Sequence, residues 1–398
     1  MAAPRLPLRP IVVASTVVTA GVLPAFLTGA VAVEMGGELG LTLSSLGALV
    51  GVHFGAAALT VALAGHMVEH LGAKRGIRLG AALALLSAAG IALVAGSDLS
   101  VGLFLALGGV ANGIAQTSAN LYLVRSIPSR WQGLAFGIKQ SAIPLATSLA
   151  GLSVPLLALT FGWRYAFGMA ALLAATVMVI RVDTSPVAEP GRPGDRDGDS
   201  STMPAGTATL ALLGVVAFLG VWGGQAMGAF LVSSTVAGGI SQGVAGVLLT
   251  VGSFSAVVVR VVVGWHVDRS RLPGLRLIGW MLLVGASGLA AIASQAPLLL
   301  WVGPLLAFAG GWGWPGLFVH AVVRMRPADP ARATGITQTG VFAGATLGPP
   351  AFGALVEATS YPVGWIATAV AAALAGGMVL AMDRRIGPKT ALHRGANG

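Results

Sequence analysis

Apolar residues fill this chain in long runs, and polar residues are confined to the short intervals between them. The runs 11–33, 99–124 and 297–323 contain no charged residue at all. A helix needs about 20 apolar residues to cross the ~30 Å hydrocarbon core of a bilayer. A barrel strand needs only ~10, with alternating polarity. The runs here have helix length, and in lipid every backbone N–H and C=O must be satisfied within its own segment. The pattern predicts twelve spans, at 11–33, 46–67, 79–97, 99–124, 134–161, 164–181, 208–235, 244–266, 275–295, 297–323, 334–356 and 361–382. The expected fold class is an all-α membrane protein.

Composition agrees with that pattern. Charged residues make up 9 % of the 398 and hydrophobic ones 56 %, against about 25 % charged in soluble domains. The chain has no cysteine, so disulfides and thiolate metal sites are excluded. Arg5 and Arg9 before the first run resemble the start of a signal peptide, but 23 apolar residues are too many for the 7–15 of its core. An uncleaved first span is expected. Alanine-, glycine- and arginine-rich usage suggests a bacterium, hence its plasma membrane.

Charge fixes an orientation. With the N-terminus placed in the cytoplasm, 22 of the 23 Lys and Arg residues fall on the inner side, and only Arg164 falls outside. Glu34, Glu38, Asp98 and Glu357 lie in outer loops. This positive-inside bias predicts cytoplasmic N- and C-termini. The net charge of +10 therefore reports orientation in a lipid bilayer and gives no sign of nucleic acid.

Residues 183–206 break the apolar pattern with Pro, Gly, Ser and mixed charge, which predicts a flexible cytoplasmic linker. It separates a half at 1–182 from a half at 207–384, followed by a tail at 385–398. The halves resemble each other. Gly137-Ile138-Lys139-Gln140-Ser141 recurs as Gly335-Ile336-Thr337-Gln338-Thr339, and the Gly65…Glu69 spacing recurs as Gly264…Asp268. Parallel repeats of six spans around a central pathway are a transporter architecture.

The loop after span two carries a more specific mark. Gly65-His66-Met67-Val68-Glu69-His70-Leu71-Gly72-Ala73-Lys74-Arg75 is similar to the Gly-xxx-Asp-Arg-x-Gly-Arg-Arg signature of the major facilitator superfamily (MFS) of secondary transporters. Glu69 stands for its Asp and His70 for its first Arg. The second half keeps Gly264, Asp268 and Arg269. The resemblance implies two six-helix bundles related by a pseudo-two-fold axis, alternating access, and a cytoplasmic gate around Gly65, Glu69, Gly72, Gly264, Asp268 and Arg269. Span four lacks the Arg of proton-driven drug exporters, and span five lacks a clean Gly-Pro-xx-Gly-Gly pattern.

Charges inside spans point to function, because burying them at depth costs several kcal/mol. Lys139 lies about five residues into span five, and Arg260 lies one turn before Gly264 in span eight. An Arg at that place resembles span eight of monocarboxylate and oxalate transporters, where it faces a carboxylate. The bland alternative is that both residues snorkel to cytoplasmic water. Asn112, Gln116 and Asn120 share one face of span four. Phe218, Trp222 and Gln225 share a face of span seven, and Trp312, Trp314 and His320 lie in span ten. The polar stripe suits a pathway wall or, equally, hydrogen bonding between helices, and the tryptophans suit a cavity or, more commonly, anchoring at the membrane interface. His53 and His320 are candidates for proton coupling. Glycines recur every fourth residue in span two (Gly47, Gly51, Gly55) and span eleven (Gly340, Gly344, Gly348). In the family fold these two spans face each other across the halves, so the glycines suit a close sliding contact there or, alternatively, packing within each half.

No metal-ligand spacing, nucleophile with a nearby base, or phosphate loop is present, so neither an enzyme nor direct ATP drive is expected, and no cofactor is implied. The residues read as a monomeric secondary transporter of a small organic anion, because both buried charges are positive. Its rivals are a proton-coupled exporter of drugs or apolar metabolites and, from another class, a non-transporting membrane sensor or scaffold.

Overall fold

The computed structural model describes residues 7–182, 206–267, 274–326 and 329–392, and no strand occurs among them. Nine spans are single helices. They are span one Leu8–Ala30, two Leu43–Leu71, three Ala73–Leu93, four Asp98–Ser126, seven Thr207–Ala237, eight Gln242–Val267, nine Gly274–Ala293, eleven Pro330–Ala358 and twelve Tyr361–Leu392. Span six, Trp163–Val179, has 17 residues, the short limit for a crossing, while eleven other segments are long and apolar enough without reservation. The linker expected at 183–206 lies almost wholly outside the described residues. The last helix runs to Leu392, beyond the start of the expected tail.

Two spans are broken where their sequences demand it. Span five runs through Ser129–Gln140 and Ala142–Ser153, a π-turn at Val154–Ala158, and Leu159–Phe161. Pro144 and Pro155 each remove a backbone donor from its ladder. Span ten divides into Pro297–Gly311 and Pro315–Met325, around the Gly310–Pro315 stretch that carries three glycines and a proline. Membrane helices tolerate such breaks only where protein or a cavity receives the freed polar groups.

The turns are equally local in origin. Gly72, at φ +79°, ends span two and starts span three by itself, and Gly162, at φ +107°, does the same between spans five and six. Neither conformation suits a residue with a Cβ. Ser97 and Ser100 cap span four reciprocally.

Within the first half, span four packs on spans two, three and one; within the second, span seven packs on eleven and span nine on ten and twelve. The most extensive contacts between the halves pair span two with eleven, five with eight, and one with seven. Those crossings are tight at the end away from the Lys- and Arg-rich loops, here termed the far end. A Cβ on Gly29 would lie 2.6 Å from Ala229, and one on Gly151 or Gly246 would lie 2.6 Å from the other's carbonyl oxygen. At the basic end a Cβ on Gly65, Gly137, Gly264 or Gly335 would meet nothing within 4 Å. The halves are therefore sealed at the far end and splayed at the basic end.

One expectation is corrected. The glycines of span two do face span eleven, at Thr346, Pro349 and Pro350, but of span eleven's glycines only Gly353, outside the repeat, faces span two, at Leu43. Gly340, Gly344 and Gly348 lie against Gly214, Phe218 and Trp222 of span seven, within their own half. Thr346 stands two residues, about 200°, round the helix from Gly344. The two faces of span eleven thus serve different neighbours.

Candidate functional site

The splayed halves enclose a cavity of about 600 Å³, with walls from spans four, five, eight, ten and eleven. Its head lies at Lys139, Gln140 and Arg260, and it descends past Gly264, His320 and Val323 toward the basic end. Leu134, Phe136, Val261 and Leu317 supply apolar surface along the way. Above it, Phe26 of span one sets its ring edge-on to Trp312 of span ten at 5.6 Å and packs on Phe54 at 5.9 Å. Phe308 backs Trp312 at 5.6 Å. This aromatic cluster crosses the seam and roofs the cavity.

The two buried charges meet at Gln140. The Lys139 ammonium donates to the side-chain oxygen of Gln116 and, at 3.2 Å, to that of Gln140. Arg260 donates through Nη1 to the main-chain oxygen of Gln140, and through Nε and Nη2 to the carbonyl of Trp312 at 2.9 and 2.7 Å. Lys139 is 3 % exposed and Arg260 6 %, so both are held in the interior and do not snorkel to water. Every one of these acceptors is neutral, and no described carboxylate pairs with either cation. A buried cation bound only to amide and carbonyl oxygens keeps a strong affinity for an anion.

The other sequence candidates separate. Asn120 and His320 line the cavity. Gln116 holds Lys139. Asn112 is buried against Gly21 of span one, with its side-chain oxygen unbonded. Gln225 is also buried with an unbonded oxygen, and Trp222 is half-buried with its indole N–H covered and unbonded; span seven contributes no described lining residue. Trp312 offers its ring to the roof and its carbonyl to Arg260. Trp314 is structural, donating to the Gly311 carbonyl at 2.8 Å. His53 lies inside the first half, with Nδ1 3.1 Å from the Leu105 carbonyl and Nε2 unbonded. Of the gate candidates, Gly264 lines the cavity, Glu69 is exposed at the end of span two, and Asp268 and Arg269 lie outside the described residues. Gln140 and Gln338, which occupy the same place in the two halves' repeated motif, both reach the cavity wall and were not singled out from the sequence.

Comparison with known proteins bears on this arrangement. The family model of the Major Facilitator Superfamily matches residues 13–239, more than half of the chain. An uncharacterized MFS-type transporter of Mycobacterium tuberculosis, found in strains CDC 1551 and H37Rv, is 28 % identical over 346 residues, covering 82 % of this chain and 74 % of the relative. Among solved structures, a bacterial homolog of the human lysosomal transporter Spinster, inward-facing and unoccupied, aligns with TM-score 0.71 at 15 % identity, over 96 % of this chain and 98 % of that one. A D-xylose-proton symporter aligns with TM-score 0.67 at 16 % identity, over 94 % and 97 %. At such identities these structures speak to the fold alone. Twelve spans in two bundles, a cavity between them and the sequence match together place this chain in the major facilitator superfamily, as a multi-pass membrane transporter and not an enzyme.

Proposed function

We propose that the protein is a secondary transporter of small organic anions, with the cavity facing the cytoplasm and Lys139 and Arg260 as the anion site. The carrying observation is that both buried cations are held by neutral oxygens only. Burying charge without a counter-charge is costly, and an anionic cargo relieves that cost each time it enters. Arg260 would grip a carboxylate through its fork of N–H groups, and Lys139 would act as a point charge beside it. Asn120 and Gln338 add polar contacts on the wall, and the apolar lining suits the carbon body of the cargo. Gln225 and Asn112 are buried and Trp222 half-buried here, and they would reach the pathway only when the far end opens. The positive-inside bias supports cytoplasmic termini, and we infer the halves to be 1–182 and 207–384, acting within one monomer. A proton could accompany the cargo through His320.

Flux into proteoliposomes, measured with a panel of carboxylates, tests the reading. Arg260→Gln with Lys139→Gln should abolish uptake of each transported anion. Unchanged uptake in that double variant would refute the site.

A further inference from the structure

In an α-helix each carbonyl accepts the N–H four residues on. The partner position for Gln140 is Pro144, which has no N–H to give. The Gln140 carbonyl is therefore open by construction, and it stands at the seam beside span eight. The Trp312 carbonyl is open for a related reason, because the helix Pro297–Gly311 stops there. Arg260 takes both. Its bonds to Trp312 stay within the second half, whereas the Nη1 bond to Gln140 crosses to the first. This contact lies at the head of the cavity, where a cargo would end its approach.

We propose that the Gln140 carbonyl is a built-in stand-in for the cargo's anionic oxygen. In the empty transporter it occupies Arg260 Nη1 and pins the halves together. An arriving anion is the stronger acceptor for a guanidinium, so it displaces the carbonyl and replaces a bond across the seam with a bond to cargo. Lys139, held by the side-chain oxygen of the same Gln140, sets its charge beside the exchange. Gln140 and Pro144 are positioning residues that act through Arg260. A neutral solute offers no acceptor strong enough to draw Nη1 away, so the same contact that grips the cargo selects for its charge. The proposal rests on the anion reading given above.

The test uses purified full-length protein carrying Ser148→Cys as its one thiol. Ser148 is buried at the five–eight seam toward the far end, 2.8 Å from Ser253. The rate of maleimide labelling there reports opening of the seam, and acetate, benzoate and octanoate serve as probes, with binding read by thermal shift. Saturating benzoate should accelerate labelling in the otherwise unaltered protein. Pro144→Ala returns a donor to the Gln140 carbonyl while leaving both cations in place. It should raise labelling without ligand about tenfold and tighten benzoate binding by a similar factor, the scale of one competing charge-assisted hydrogen bond. A gain of affinity is not what damage to the fold would produce. If benzoate binds and Arg260→Gln abolishes that binding, yet neither benzoate nor Pro144→Ala changes labelling or affinity, the stand-in is overturned and the anion site survives. If none of the three probes binds the unaltered protein, the anion reading fails and takes the displacement with it.

Discussion

Gly47 of span two and Pro349 of span eleven meet backbone to backbone across the seam, so closely that a Cβ on Gly47 would overlap the Pro349 carbonyl oxygen. Side-chain rearrangement cannot relieve that contact, because the obstructing atoms belong to the main chain. Gly51 repeats it one turn on, where a Cβ would lie 2.8 Å from the Thr346 carbonyl oxygen.

Gly47→Ala should therefore force the far end apart. Overpacking of this kind costs about 1–3 kcal/mol, so the closed state should lose stability, and Ser148→Cys labelling should rise. Gly137→Ala, where nothing lies within 4 Å, is the matched control and should change neither. Identical labelling in the two variants would mean that spans two and eleven do not seal the far end.

Gln116 presents a neutral oxygen to the Lys139 ammonium. Gln116→Glu keeps the shape and supplies the missing counter-charge, turning the head of the cavity from doubly to singly positive. Affinity for anionic cargo should fall at least tenfold, or ~1.4 kcal/mol, while the melting temperature holds or rises. Undiminished anion uptake would show that the Lys139 charge has no role in recognition.

Glu34 belongs to the short helix Ala32–Leu39 that follows span one at the far end. Both its carboxylate oxygens are buried and unbonded, with the Gln242 amide of span eight as its polar neighbour from the other half. Burial pushes this carboxyl above its ordinary range. Its proton is thus held more tightly in the closed seam than in an open one. The seam should be firm at low pH and weaken as pH rises through the raised value. Labelling at Ser148→Cys, divided by the rate of a free thiol at the same pH, should increase with pH, and Glu34→Gln should flatten that ratio at its low-pH level. A profile unchanged by Glu34→Gln would assign the dependence to another group.

At the same end Arg164 bonds Glu38, donates to the Ala95 carbonyl at 2.9 Å, and lies over the Trp163 ring at 4.3 Å. Arg164 and the Trp163 N–H hold the Glu38 carboxyl below its usual range. Its contribution is present at neutral pH and is lost as pH falls through that lowered value. The side chains are 35 % and 48 % exposed, so solvent leaves the pair roughly 0.2–1 kcal/mol. Glu38→Gln should lower the melting temperature by a few degrees at most at pH 7 and not at all at strongly acidic pH. A large loss at both would mean that the corner is held by something other than charge.

The twelve spans were legible because lipid leaves a helix no alternative way to satisfy its backbone, so run length alone locates them. Lys139 and Arg260 stood out for the same reason, as charges where charge is costly. The role of Gln140 was harder to see, because its main-chain oxygen does the work and main chain is the same at every residue. The only sign was Pro144, four positions on. Asn112, Gln116 and Asn120 share a helical face in sequence, yet they lie at different depths. One packs on Gly21, one holds Lys139 and one reaches the cavity. Periodicity gives direction around a helix and says nothing of what stands opposite. The two faces of span eleven, one for span seven and one for span two, were indistinguishable on that ground.

That division gives the two sides of the molecule unlike mechanics. The surface that span eleven turns toward span two includes Thr346, Pro349, Pro350 and Gly353, and the prolines have no N–H to bind with. Apart from the bonds of Glu357 to Ser44 and Thr42 at the rim, that flank is held among the described residues by the fit of its surfaces. On the opposite side, Ser148, Thr250 and Ser253 lace spans five and eight together with discrete hydrogen bonds. Those must break in succession before the far end can open. The two flanks thus hold the far end by unlike means, one by close fit of backbone and proline rings and the other by discrete hydrogen bonds.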